Sequence, residues 1–254
     1  MKKIALVTGA TTGIGKATAY ALAAQEYDLI ITGRREKLLS QIEKDIETTS
    51  GVKVLSVNFD VRDKEQVEHY MNNLPQEWKD ISVLVNNAGL AVGLSPINEG
   101  VIDDWERMID TNIKGLLYVT RAISNLMIAR GGGHIINIGS IAGKEVYANG
   151  NVYCATKHAV DALSKGMRID LLPHGIKVSQ ICPGMVETEF SLVRFKGDAQ
   201  RAENVYKGFQ PLEAEDIANA IVYVINAPEH VNINDMIVMP KAQANSTVTL
   251  KNNL

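Results

Sequence analysis

The chain has 254 residues, of which 46% are hydrophobic and 22% charged, with 26 lysines and arginines against 29 aspartates and glutamates. This composition is typical of a globular protein and excludes a disordered chain, a collagen and a coiled coil. The net charge of −3 gives no broad basic surface for nucleic acid or for an anionic membrane, so neither is expected as a partner.

Short apolar runs alternate with amphipathic stretches along the whole chain. The runs, mostly β-branched or aliphatic, predict strands at 4–7, 29–31, 52–57, 81–85, 134–138, 176–181 and 236–239. Helical periodicity predicts helices at 14–25, 35–48, 63–73, 103–129, 152–172 and 213–226. Strands and helices in this alternation indicate βαβ units, and therefore an α/β fold of the doubly wound Rossmann type with a parallel sheet, in one domain over 1–254.

The segment 183–211 departs from this rhythm. It has no strong period and mixes aromatic with charged side chains. A connection of this length is uncommon unless it is functional, and it follows the carboxyl end of a strand, where open parallel sheets bind ligands. We therefore expect an active-site lid, the alternative being a long surface connection.

Residues 8–15, Thr-Gly-Ala-Thr-Thr-Gly-Ile-Gly, connect the first predicted strand to the first helix. Glycines at a helix N-terminus let the backbone approach a pyrophosphate, which the unpaired N–H groups attract. A P-loop is excluded because Ala10 and Ala17 occupy positions that it needs as Gly and Ser/Thr. The loop predicts a dinucleotide site.

The second predicted strand leads into Arg34 and Arg35, where an acidic residue would bind the ribose 2′-hydroxyl of NAD. Guanidinium groups instead suit a 2′-phosphate. The predicted cofactor is NADP.

Tyr153 and Lys157 lie four residues apart on one predicted helix, and Ser140 follows the strand at 134–138. A nearby ammonium stabilises a phenolate, so the pair suits a general acid/base acting on an alcohol or a carbonyl, with Ser140 holding the oxygen. A serine hydrolase is excluded because Ile138 and Ala142 replace the glycines of its nucleophile elbow.

Together these motifs resemble the short-chain dehydrogenase/reductase family over essentially the whole chain, with Asn-Asn-Ala-Gly at 86–89, Asn112 and Pro183-Gly184 as further matches. The resemblance implies a seven-stranded parallel sheet in the order 3-2-1-4-5-6-7. It implies a catalytic set of Ser140, Tyr153, Lys157 and Asn112, the last binding a water through its backbone. It implies that the cofactor contacts Gly9, Thr11, Thr12, Gly13, Ile14, Gly15, Arg34, Arg35, Asp60, Val61, Asn87, Ala88, Gly89, Tyr153, Lys157, Pro183, Gly184, Val186 and Thr188.

A closer resemblance, to the NADP-dependent 3-hydroxy acid dehydrogenases, rests on the sequences at 31–35, 105–112, 193–198 and 230–234. It implies oxidation of the 3-hydroxyl of small acids such as L-serine, L-allo-threonine or 3-hydroxyisobutyrate, reduction of the semialdehyde or ketone in reverse, and a homotetramer. The stretch 186–189 is one residue shorter than that pattern. Arg194 or Lys196 can pair with a substrate carboxylate, and we assign the substrate to Ser140, Tyr153 and Arg194.

Two other functions stay open: reduction of other carbonyls, including 3-oxoacyl groups, and non-catalytic NADP binding as a regulator.

The five histidines show no metal-binding spacing, so no metal site is expected. Cys154 and Cys182 are expected to be small buried residues, as in a reducing compartment, and no apolar run is long enough for a membrane span or a signal sequence. We predict a cytoplasmic protein.

Overall fold

The computed structural model describes residues 3–252, whose seven strands form one all-parallel sheet in the order β3-β2-β1-β4-β5-β6-β7. The strands are β1 (Ile4–Val7), β2 (Asp28–Gly33), β3 (Val54–Asn58), β4 (Ile81–Asn86), β5 (Gly133–Ile138), β6 (Ile176–Pro183) and β7 (Asp235–Val238). This order confirms the predicted sheet. β2 and β3 are added on one side of β1, whereas β4 to β7 are added on the other side, so the strand order switches between β1 and β4. The carboxyl ends of β1 and β4 border the crevice where such sheets bind ligands.

Helices cover both faces of the sheet. They are α1 (Gly13–Ala24), α2 (Glu36–Ser50), α3 (Lys64–Asn72), α4 (Ile102–Ile109), α5 (Leu116–Arg130), α6 (Asn151–Leu171), α7 (Phe190–Arg194), α8 (Ala199–Tyr206) and α9 (Ala214–Ile225). Successive β1 residues face opposite cores, because side chains alternate along a strand. Ala5 and Val7 pack with α1, α2 and α9, whereas Ile4 and Leu6 pack with α3, α5 and α6.

The predicted helix at 103–129 is not continuous. A π-helical segment at Asp110–Gly115 separates α4 from α5. The Asn112 side chain within it bonds to the Leu90 backbone, and a Cβ on Gly115 would lie 2.8 Å from Val61 Cγ2. These tertiary contacts fix the local widening, which the helical periodicity does not reveal.

The segment 183–211 contains two helices, α7 and α8, where the sequence predicted no regular structure. Val186, near the start of this segment, forms a parallel β-bridge with Leu212, which directly follows the segment. Both cysteines are buried and free, as predicted. Within residues 3–252, no helix is both long and apolar enough to cross a bilayer.

Candidate active site

The glycine loop between β1 and α1 is folded tightly against β4. Gly9 has a φ of +66°, and a Cβ there would lie 2.9 Å from Ala88 Cα. A Cβ on Gly15 would lie 2.3 Å from Gly9 O, so both positions need glycine. Thr12, the N-cap of α1, makes no side-chain cap with the described part of the chain, and the first turn has no acidic residue. The helix N-terminus therefore offers its amides and partial positive charge to an anion.

A cleft of about 520 Å³ opens above the carboxyl ends of the strands, within the size range of ligand pockets. Most of the predicted site residues line it, namely Gly9, Thr11, Thr12, Ile14, Arg34, Arg35, Asp60, Val61, Asn87, Ala88, Gly89, Ser140, Tyr153, Lys157, Pro183, Gly184, Val186, Thr188 and Arg194. The residues that line the cleft do not include the predicted site residues Gly13, Gly15 and Asn112. Gly13 packs under Thr188, with 3.1 Å between its Cβ position and Thr188 Cγ2.

Basic groups gather at one end of the cleft. Arg35 donates from Nε and Nη2 to Thr11 Oγ1, at 3.2 and 3.0 Å, and from Nη1 to Glu189 at 2.9 Å. Arg34 Nη1 lies 3.8 Å from Asp60 Oδ2. Burial acts to raise the pKa of Asp60, but hydrogen bonds from Arg62 and the nearby arginine charges hold this pKa below its usual value. Asp60 therefore stays ionised beside Arg34, one of the two predicted cofactor arginines.

Ser140, Tyr153 and Lys157 meet in the middle of the cleft. Ser140 Oγ accepts from the Ala142 amide at 3.0 Å. Lys157 Nζ donates to Ile138 O at 2.9 Å and lies 6.0 Å from the Tyr153 ring centroid.

Burial dominates the acid–base chemistry of this group. Burial, together with Tyr147, raises the pKa of Tyr153 well above its usual value, while hydrogen bonding with Ser140 and the charge of Arg194 oppose the rise. Burial lowers the pKa of Lys157 to about 8. Because each charged form is penalised alone, the two groups gain most when a phenolate and an ammonium are present together.

Asn112 lies in the π-helical segment, close to Lys157. Its Oδ1 accepts from Leu90 N at 2.7 Å, and its Nδ2 donates to Leu90 O at 2.8 Å and to Thr156 Oγ1 at 3.0 Å. A Cβ on Gly89 would lie 3.6 Å from Asn112 Oδ1 and 3.7 Å from Lys157 Nζ. The side-chain amide is thus used to fix the segment next to Lys157.

Arg194 reaches the same cleft from the end of α7. Its Nη2 donates to Tyr147 Oη at 2.5 Å, and its Cζ lies 5.5 Å from the Tyr153 ring centroid. Arg194 Nε is buried and has no hydrogen-bond partner among residues 3–252. Lys196, the other basic residue that the sequence analysis named as a possible carboxylate partner, instead pairs with Asp104 at 2.8 Å. The two basic residues therefore differ in their surroundings: Arg194 lines the cleft, whereas Lys196 forms an ion pair with Asp104.

Comparison with known proteins identifies the family of this chain. The family model for short chain dehydrogenase matches residues 3–198. The chain belongs to the short-chain dehydrogenase family. This short-chain dehydrogenase is 47% identical over 242 residues to an NADP-dependent 3-hydroxy acid dehydrogenase, YdfG, of Salmonella typhimurium, covering 95% of this chain and 96% of the relative. A Schizosaccharomyces pombe NADP-dependent 3-hydroxy acid dehydrogenase is 42% identical, with coverage of 95% and 93%.

The solved structures agree. The closed form of serine dehydrogenase complexed with NADP⁺ superposes with a TM-score of 0.91 at 43% identity, covering 98% of this chain and all of that one. The resemblance seen in the sequence is therefore confirmed, and the protein is an oxidoreductase of this family.

The sequence reasoning missed several cleft residues of this short-chain dehydrogenase. Tyr147 contacts Arg194, Glu189 binds Arg35, and Gln243 and Ser246 reach the cleft from the C-terminal part of the chain. A lone tyrosine in a loop carries no pattern that would reveal it. The available signal for Glu189 was its position in the segment already predicted to be an active-site lid.

Proposed function

We propose that the protein oxidises the 3-hydroxyl of small hydroxy acids such as L-serine, L-allo-threonine or 3-hydroxyisobutyrate with NADP, and reduces the semialdehyde or ketone in reverse. The observation that carries this proposal is Arg194, a cation that lines the cleft beside Tyr153. A substrate carboxylate can pair with the Arg194 guanidinium while the substrate hydroxyl faces Tyr153 and Ser140. The names of the relatives support the same substrate class.

NADP fits the cleft on the chemistry of its walls. The uncapped N-terminus of α1 suits the pyrophosphate, and Arg34 and Arg35 suit a 2′-phosphate because guanidinium groups bind phosphate with charge-assisted hydrogen bonds. The other predicted contacts, including Asp60, Val61 and Thr188, line the same cleft. When bound, NADP accepts a hydride from the carbon that bears the hydroxyl.

Side chains of the protein itself take up the proton of the substrate hydroxyl. In oxidation Tyr153, as phenolate, takes the proton of the substrate hydroxyl, and Lys157 stabilises that phenolate by its charge. Ser140 donates a hydrogen bond to the substrate oxygen and so keeps it against Tyr153. Asn112 holds the π-helical segment beside Lys157, where its backbone can bind the water that passes the proton to solvent.

We further propose that 183–211 acts as the substrate lid and that four copies assemble. Support for the lid comes from Glu189 and Arg194, at either end of α7, which bond to Arg35 and Tyr147 in the cleft wall. Support for assembly comes from exposed apolar side chains on helices and on the last strand, at Ile102, Ile169, Leu172, Tyr223 and Ile237. The two free cysteines support a cytoplasmic location.

An initial-rate screen tests the function directly. Small 3-hydroxy acids, uncharged alcohols and 3-oxoacyl thioesters are assayed with NADP(H) and with NAD(H). We expect the acids with NADP to give the highest kcat/KM, and Tyr153→Phe to lose at least 100-fold in kcat. A preference for thioesters or neutral ketones would replace the hydroxy-acid assignment, and an unaffected Tyr153→Phe would remove the proposed catalysis.

A further inference from the structure

A carboxylate is buried next to the substrate end of the cleft. Asp104 is in α4, and its side chain is only 5% exposed. Its Oδ2 lies 2.8 Å from Lys196 Nζ, whereas its other oxygen is 3.9 Å from Arg107 Nη1. A buried carboxylate needs a partner to offset its lost hydration, and Lys196, from the 183–211 segment, is the closer one.

Lys196 holds a backbone conformation that normally favours glycine. The turn that ends α7 has the Lys196 N–H donating to Val193 O at 3.1 Å and the Gly197 N–H donating to Leu192 O at 2.9 Å. In this Schellman turn the left-handed position is usually Gly, but here it is Lys196, with a φ of +55°. A lysine kept at this conformational cost indicates that its side-chain contact contributes something a glycine lacks.

Gly93 joins the two sides of this contact. Its N–H donates to Arg194 O at 3.0 Å, which anchors the end of α7 by its backbone. A Cβ on Gly93 would lie 2.8 Å from Asp104 Oδ2, so only glycine leaves room for the carboxylate. We name Gly93, Asp104 and Lys196 the Asp104 clamp.

The clamp fixes the chain immediately after the point where the Arg194 side chain branches off. The Arg194 carbonyl is held by Gly93, and the residue two positions later is held by Asp104. The guanidinium of Arg194 lies against Tyr147 and Tyr153. We propose that the Asp104–Lys196 ion pair is a positioning device that holds Arg194 where it recognises the substrate carboxylate. This inference rests on the proposed function, in which Arg194 binds that carboxylate.

Lys196→Gly separates positioning from folding, because glycine suits the turn but removes the ion pair. The probes are 3-hydroxyisobutyrate and its methyl ester, which differ in charge at the carboxyl group. We expect the KM for the acid to rise about tenfold, with kcat and the ester kinetics changed less than twofold. Lys196→Arg should restore the acid KM. Lys207→Gly is the matched control: Lys207 is exposed, is in the same segment and forms no ion pair with residues 3–252, and it should have no effect.

Two double variants complete the test. Asp104→Asn with Lys196→Gly removes the buried charge that the single variant leaves unpaired, and it should show the same rise in acid KM. Arg194→Ala with Lys196→Gly should lose no more acid affinity than Arg194→Ala alone, since the clamp acts through Arg194. Additive losses, or equal losses for acid and ester, would overturn the positioning role.

Hydrogen exchange at the Gly93 amide tests the clamp without any substrate. Loss of the ion pair should loosen the Gly93–Arg194 hydrogen bond, and exchange should accelerate at least fivefold in Lys196→Gly. If the wild type does not prefer acid over ester, the proposed function is wrong, and faster Gly93 exchange still supports the clamp. Unchanged exchange in Lys196→Gly overturns the clamp, whatever the wild type prefers.

Discussion

Lys157 offers the sharpest test of the catalytic chemistry. Its ammonium lies 6.0 Å from the centre of the Tyr153 ring. At that distance, with an effective dielectric constant of about 20, one unit charge stabilises a phenolate by about 3 kcal/mol, or about two pKa units. Replacing Lys157 with Met removes the charge and keeps an unbranched chain of similar length. The pKa governing alcohol oxidation should therefore rise by about two units.

The assay is the pH dependence of kcat/KM for oxidation between pH 6 and 10. In the wild type, burial raises the pKa of Tyr153, and the charge of a Lys157 ammonium opposes that rise. Oxidation needs the Tyr153 phenolate, so the rate should rise with pH as the phenolate forms. In Lys157→Met the midpoint of this rise should move up by about two pH units, and the rate below the wild-type midpoint should fall about 100-fold.

Two controls make the result interpretable. Lys157→Arg keeps the charge and should move the pH profile much less. Lys157→Met also removes the donor to Ile138 O, which costs about 1 kcal/mol of stability, so thermal melting and the KM for NADP are measured alongside. A rate that falls by the same factor at every pH, with no shift of the profile, would refute the argument from charge.

Three further predictions concern the cofactor end and the core. Arg35→Ala should raise the KM for NADP about 10- to 100-fold and leave that for NAD nearly unchanged, as initial rates with both cofactors would show, because charge-assisted hydrogen bonds contribute about 1.5–3 kcal/mol. Glu189→Gln removes a negative charge 2.9 Å from Arg35 and should lower the KM for NADP about threefold without affecting NAD; a higher KM would contradict the competition between carboxylate and phosphate. Burial, together with the charge of Lys177, lowers the pKa of His134 in the folded protein to about 3. Below about pH 6.5, the ordinary pKa of histidine, the unfolded chain therefore binds a proton that the folded chain does not. The free energy of unfolding should consequently fall as the pH drops. His134→Asn should recover about 2 kcal/mol of that loss at pH 5, measured by denaturant unfolding at pH 5 and 7.

Local patterns were sufficient to predict the sheet. Runs such as 4–7 and 29–31 are apolar throughout because their strands are covered on both faces of the sheet, and this pattern is visible in the sequence without knowing which segments cover the strands. The glycine loop and the Tyr153–Lys157 spacing are local in the same sense. The π-helical segment around Asn112 is different, since it depends on Leu90, which the chain brings close only after folding.

Contacts between distant segments account for what the sequence could not give. Arg194 and Lys196 are two residues apart and carry the same charge, so nothing local distinguishes the proposed ligand of the substrate carboxylate from the residue proposed to position it. The fold separates them, because α4 presents a buried carboxylate to one and the loop before α6 presents a tyrosine to the other.

Two of the three arginines assigned to ligands are already oriented by protein groups. Arg35 is oriented by Thr11 and Glu189, and Arg194 by Tyr147. A guanidinium carries five N–H donors in a rigid plane, so two or three can fix its orientation while others remain for an anion. Binding then costs little side-chain entropy, because the rotamer is set before the ligand arrives. A net charge of −3 conceals this arrangement, since the selectivity of the site depends on where each cation is held.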